Sequence, residues 1–305
     1  MNNLRFILKG IVTIILFFLF QLKIYSQTSQ DSTISRDYEG ALGIPVVNDI
    51  YEKIHTKNDE HIPYYYLREA DVMWKKRIWR ILDLKEKMNL PLYYPTDPIE
   101  DRISLIDLIL YCVDKENLEV YDAALDDEFK VPMTYKQIRE EVFGAVDEEY
   151  EVEDVETGII SMRIIKGELH SEEVKQYMLK EVWFFDNQRS IMDVRIIGLC
   201  PIRIYSREDN LGMEEEQKQK VCWVYFPSLR HILSRIEVFN PYNTVDNRSF
   251  DDIFMKRRFS SFICQEANVY DNRFIGSYKI GIDIMYESEK IKDFIFKTEH
   301  DLWEF

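Results

Sequence analysis

Residues 182–205 leave this chain little conformational choice. The run Val182, Trp183, Phe184, Phe185 ends in the turn-like cluster Asp186, Asn187, Gln188, Arg189. Beyond it, Met192, Val194 and Ile196 alternate with Asp193 and Arg195. A period of two next to turn-forming residues predicts paired strands with one wet face. Ile202 to Tyr205 continue the pattern, and Cys222 to Phe226 resume it after a polar insertion at 207–220. Together these pieces predict an antiparallel sheet.

Helical periodicity lies on either side. From Asp71, the residues Val72, Met73, Ile78, Trp79, Ile81 and Leu82 punctuate a cationic stretch that Asn89 and Pro91 stop. Tyr94 is predicted extended, because the residue before a proline avoids the α region. Asp101 is read as the N-cap of the next helix. There Ser104, Asp107, Tyr111 and Asp114 form a single polar stripe on an otherwise apolar helix, which predicts burial in a core. A short helix is expected around 135–143. Another follows Leu229, Ile232, Leu233 and Ile236, one is capped by Ser249 with Asp252, and a last one covers 282–296. The acidic run at 147–157 reads as a solvated loop. The element order predicts an α+β fold, with an antiparallel sheet in the middle of the chain flanked by helices from both ends.

Residues 1–26 have the layout of an export signal. Arg5 and Lys9 precede the apolar run from Ile11 to Phe20, and Ser26 offers a small residue for cleavage. The run is short for a membrane span. No cysteine follows Ser26, so a lipid anchor is not available there. Residues 27–60 read as a flexible leader and 61–305 as one globular domain.

The formal charge is −16, and loss of Arg5, Lys9 and Lys23 makes the mature chain more acidic still. That balance opposes nucleic-acid binding and docking on anionic lipid. Lys256, Arg257 and Arg258 form one basic patch, read as the solvated end of a helix. Cys112, Cys200, Cys222 and Cys264 are widely spaced in apolar surroundings, without a C-x-x-C pair. Three full disulfide pairings are open to them, and buried inert thiols are the expected state. The five histidines form no metal-ligand motif, and no nucleophile elbow, phosphate loop or dinucleotide fingerprint occurs. The sequence therefore offers no catalytic, cofactor-binding or metal residue.

Aromatics with polar tips crowd the first third of the mature chain beside Lys75, Lys76, Arg77 and Arg80. Such residues favour protein interfaces. The candidates for a contact surface are Trp74, Trp79, Tyr93, Tyr94, Arg102 and Trp183.

Several segments resemble one family. Residues 89–102 (NLPLYYPTDPIEDR) resemble an N-x-P-L-Y-Y-P-x-x-P-I-x-x-R block. Residues 179–186 (LKEVWFFD) are similar to an L-K-E-x-W-x-F-D strand, and 249–258 to an S-x-D-D-x-F-x-x-R helix. Residues 197–201, 223–225 and the ending 299–305 fit as well. This is a resemblance to the GldN/PorN family over roughly 70–305. It implies a non-enzymatic periplasmic component of Bacteroidetes gliding motility and type IX secretion. The implied setting is a ring at the inner face of the outer membrane. The implied partners are the outer-membrane lipoprotein GldK/PorK, further copies of the same chain and the periplasmic part of the GldL–GldM motor. The alternative expectation is a periplasmic binding module for a peptide or envelope glycan.

Overall fold

The computed structural model describes residues 59–303, apart from 100–101, 125–126, 147, 154–159, 166, 168, 209–213, 241–242, 244 and 246–247. The export signal and nearly all of the leader lie outside the described residues. No described helix is long and apolar enough to cross a membrane.

The α+β architecture is as expected, built on an eight-stranded sheet. Its strands are β1 (Val72–Asp83), β2 (Val120–Tyr121), β3 (Pro132–Met133), β6 (Val174–Asp186), β7 (Ile191–Glu208), β8 (Glu214–Lys220), β9 (Trp223–Tyr225) and β12 (Phe262–Glu266). The order is β12-β1-β6-β7-β9-β2-β3, with β8 bonded to the far half of β7. Every pairing is antiparallel. Two small hairpins stand apart: β4 (Glu148–Glu153) with β5 (Ile160–Ile165), and β10 (Glu237–Val238) with β11 (Arg248–Ser249). The helices are α1 (Leu90–Tyr93), α2 (Leu105–Lys115), α3 (Tyr135–Gln137), α4 (Phe226–Leu233), α5 (Phe250–Met255) and α6 (Ile282–Trp303).

The hairpin predicted at 182–196 is the heart of this sheet. Asp186 accepts the Gln188 amide at 2.9 Å and pairs with Arg189 at 2.9 Å, which locks the turn between β6 and β7. The Arg189 guanidinium holds the Asp186 carboxyl below the usual carboxylate range.

Several expectations need correction. The sheet is not confined to the middle of the chain: the cationic stretch at 72–83 is β1, next to its centre, and β12 closes the edge. The acidic run is not a loop. Glu149, Glu151 and Glu153 alternate with Tyr150 and Val152, and a hairpin satisfies the backbone whatever the side-chain charge; Asp147 and 154–157 lie outside the described residues. The insertion at 207–220 contains β8, because an 18-residue β7 offers a long edge to pair with. Helix α2 is capped by Ser104, whose Oγ accepts the Asp107 amide at 3.2 Å, and not by Asp101, which lies outside the described residues. Helix α3 gives way after three residues to a single π-helical turn, and α6 runs past 296 to Trp303. The Ser249–Asp252 capping box forms as read.

The basic trio is not one solvated patch. Lys256 and Arg258 are exposed, but Arg257, at positive φ, turns inward. Its guanidinium donates to both carboxylate oxygens of Glu181, at 2.9 and 3.2 Å. Glu181 is 0% exposed and also accepts the Trp183 indole N–H at 3.0 Å.

One residue earlier the side chain points to the opposite face. Lys180 Nζ donates to the backbone oxygen of Asp127 and pairs with its carboxylate at 3.2 Å. Burial pulls the Lys180 ammonium below its ordinary range, and Asp127 pulls it back up. Asp127 also accepts the Trp79 indole N–H at 2.6 Å. The segment carrying Asp127 is thereby latched across this face. Phe129 completes the latch, edge-on to Tyr121, Trp223 and Tyr225 with ring centroids 5.5–6.1 Å away. Gly198 is required beneath it, since a Cβ there would lie 2.7 Å from the Phe129 ring and 3.1 Å from Trp223.

On the opposite face, Ile291 and Ile295 of α6 pack with Ile78, Ile263 and Ile275. Helices α4 and α5 are joined by Arg230 and Asp251, a buried bidentate pair at 2.8 and 2.9 Å, and by Phe226 against Phe254.

All four cysteines are free and buried. Burial pushes the thiols of Cys112, Cys200 and Cys264 up to about 12, and that of Cys222 higher.

Three outcomes follow from these interactions. Asp127→Ala removes the carboxylate counter-charge of the Lys180 ammonium, which keeps only the backbone oxygen, and the acceptor of the Trp79 indole N–H, and is expected to cost about 2–4 kcal/mol in denaturant melts. The double change Lys180→Met with Asp127→Asn keeps an acceptor for Trp79 and is expected to cost less than about 1 kcal/mol. A thiol reagent at about pH 8 is expected to label none of the cysteines in the native chain and all of them after unfolding. Because the Asp186 carboxyl is depressed in the folded state, its contribution is complete above the unfolded value of about 3.9 and fades as pH falls further. Asp186→Asn should therefore flatten the acid limb of a plot of urea midpoint against pH.

Candidate protein-interaction site

The tyrosine–proline block is organised by a buried amide. Asn89 is fully buried, and its Nδ2 donates to the backbone oxygens of Asp83 at 2.7 Å and Ser260 at 2.9 Å. Its Oδ1 accepts the Ser260 amide at 3.0 Å. One side chain thus ties the end of β1 to the strand entry at β12, 171 residues away. Helix α1 is a single turn with proline at its start, where a missing N–H is harmless. Tyr94 then goes extended, φ −93° and ψ 146°, as Pro95 requires.

This geometry gives the two tyrosines different jobs. Tyr93 is half-buried and donates its hydroxyl proton to the Glu172 backbone oxygen at 3.0 Å. Tyr94 packs edge-on against it at 4.9 Å and is 55% exposed. The following loop is closed by paired backbone bonds between Ile99 and Arg102 at 3.0 and 3.1 Å. The Arg102 guanidinium then lies 4.8 Å from the ring of Phe239, on β10's outgoing chain. Tyr94, Pro95, Ile99, Arg102 and Phe239 line a shallow depression of about 300 Å³. Phe239 is 45% exposed and Ile99 53%. An exposed patch of tyrosine, arginine and apolar groups beside a turn anchored by Asn89 and Tyr93 is suited to binding a protein surface.

The six sequence candidates fall into three separate places. Tyr93, Tyr94 and Arg102 share this block. Trp74 and Trp183 are partly buried against the Ile78–Ile291 cluster under α6. Trp79 is 2% exposed and lies in the core on the other face of the sheet, with Met178, Cys200 and Trp223. The aromatic set therefore does not converge on one concave pocket. Phe239 was missed by the sequence reading. It lies 137 residues after Arg102 in the chain, and no local pattern links them.

Charged groups elsewhere are mostly engaged in structure. Arg80 is largely buried and donates to the Ser261 hydroxyl at 2.9 Å, with its guanidinium pulled below the usual range by burial. Asp107 is raised by burial and bonded to its cap serine. Among the described residues, no group of three or more His, Cys, Asp or Glu side chains is arranged to hold a metal ion.

No curated protein gives a significant match to the chain. A family model described as gliding motility associated protein GldN matches residues 67–304. The match takes in the tyrosine–proline block, the β6–β7 hairpin, the capped helix α5 and the whole of helix α6. The chain belongs to the GldN family of gliding-motility-associated proteins.

Proposed function

We propose that this protein is a non-enzymatic structural subunit of the periplasmic gliding and type IX secretion apparatus. It would reach the periplasm through the signal at 1–26 and assemble there, with the outer-membrane lipoprotein GldK/PorK, into a ring beneath the outer membrane. The mature chain is read as a leader over 27–60 and one globular domain over 61–305. The periplasmic part of the GldL–GldM motor is a further expected contact.

The observation that carries this reading is the patch of Tyr94, Ile99, Arg102 and Phe239. Its loop is fixed from beneath by Asn89 and Tyr93, so little side-chain and loop entropy is left to lose on docking. The conspicuous charged side chains point the same way. Lys180, Glu181, Arg230 and Asp251 are spent on joining elements of the fold. Family membership supplies the motility context.

The test combines Tyr94→Ala, Arg102→Ala and Phe239→Ala in one full-length chain. Co-purification with the lipoprotein should fall at least tenfold, as expected for the loss of central aromatic and arginine anchors, with the melting temperature close to wild type. Gliding on agar and secretion should fail together. Wild-type recovery of the lipoprotein by the triple variant would remove the patch from this role. Failure of the wild-type chain to recover it would remove the ring reading.

A further inference from the structure

The segment 59–66 is a strap without regular secondary structure that lies against the body of the protein before β1 begins. It lies over a cleft walled by β7 and by helices α4 and α5. No backbone hydrogen bond joins the strap to the sheet among the described residues; side chains hold it. Arg195 donates to the Tyr65 backbone oxygen at 2.6 Å, and Ser234 to that of Asp59 at 3.3 Å. The Tyr65 ring stacks on the Arg189 guanidinium at 3.7 Å and meets Arg195 at 4.7 Å. The Tyr64 ring sits 4.6 Å from Arg230 and 5.1 Å from Arg195.

The cleft is mixed in charge: Arg189, Arg230 and Lys256 line it with Asp193, Asp251 and Asp252, each cation paired with one of these carboxylates, and the arginines meet the strap through its aromatic rings. Arg195 has no carboxylate partner among the described residues; its cation is balanced by the faces of Tyr64, Tyr65 and Phe184. Its Nε is buried without an acceptor. The acidic start of the strap, Asp59 and Glu60, lies in the same cleft as Lys256. Yet the fit is incomplete. A space of about 520 Å³ lies between strap and body. Ile62 and Tyr66 face water at 81% and 88% exposure. The family match begins at residue 67, so the arginines of the cleft lie inside the matched region and the strap lies outside it.

We propose that this cleft is a docking groove for an extended segment bearing adjacent aromatic residues, and that in the assembled state it takes the 59–66 strap of a second copy. Every contact that seats the strap is made by side chains and is equally available to another chain. The exchange pivots near the exposed Tyr66, ahead of the 3-10 turn Glu69–Asp71 that the Arg68–Asp71 pair holds before β1. A ring raises the local concentration of neighbouring straps, which favours exchange over the resting seat. Strap-to-groove contact between copies is head-to-tail, and such contacts close into rings when the rotation allows. This inference rests on the proposed self-association and names the surface that makes it.

Two full-length mature variants test it. Tyr64→Ala with Tyr65→Ala disables the strap and keeps the groove. Arg195→Gln disables the groove and keeps the strap, with Arg189 left in place because it locks the β6–β7 turn through Asp186. Each alone should self-associate at least tenfold more weakly than wild type. An equal mixture should form a one-to-one dimer by light scattering, since one good junction survives. Tyr64→Phe with Tyr65→Phe keeps both rings and should behave as wild type, which separates loss of contact from loss of fold. A mixture that stays monomeric up to the solubility limit overturns the exchange. So does self-association of the double-alanine variant at wild-type strength, an outcome that leaves the ring standing on another surface.

Discussion

Two adjacent charges in the central strand set the terms for the rest of the molecule. Lys180 and Glu181 lie on opposite faces of β6, and both faces are covered. Neither charge is tolerable alone at that depth. Each therefore demands a partner from a distant part of the chain. Lys180 draws in Asp127, and with it the loop that carries Phe129 over Gly198. Glu181 draws in Arg257, and with it the end of α5. One dipeptide thus fixes what sits above the sheet and what sits below it. A buried ion pair adds little net stability, but its geometry excludes other packings.

The motifs behind the family resemblance make sense in these terms. In residues 179–186, Leu179 is core, Lys180 and Glu181 are the two pins, Trp183 donates to Glu181, and Asp186 locks the turn. In residues 249–257, Ser249 and Asp252 cap the helix, Asp251 holds Arg230, Phe254 packs on Phe226, and Arg257 returns to Glu181. Asn89 of the tyrosine–proline block ties together the ends of β1 and β12. These residues read as a scaffold specification and not as a reaction centre. The surfaces proposed for partners are the Tyr94 patch on one loop and the cleft under the strap.

The proposed subunit role calls for firm presentation of a surface more than for mobility. Tyr94 is exposed, but the residue before it is bonded to the body and the residue after it is a proline. The strap follows the opposite design, with aromatic side chains as its anchors and no backbone ladder. The proposed exchange rests on that design, since no backbone bond to the sheet holds the strap among the described residues. Stacked arginine and tyrosine pairs suit that use, because they retain much of their strength in contact with water.

The β6–β7 hairpin, the capping box at Ser249, the extended Tyr94 and the buried helix α2 were legible in the sequence, because each is written by residues within about four positions of one another. Strand β1 was not, since its cationic residues hide the alternation; nor was β8, whose polar run acquires structure only from the edge of β7. The charge pairs were invisible for the same reason. Lys180 and Asp127 are 53 residues apart, and Glu181 and Arg257 are 76 apart. Among so many carboxylates, no local rule says which one a lysine will meet. Trp79 shows the limit for the candidate site: composition makes it an interface residue, while burial on the inner face makes it core. The sequence by itself determined the local elements and, through their motifs, the family. Only the tertiary structure decided which charges are internal pins and which aromatics are left exposed, because burial is a property of the assembled sheet and not of any one segment.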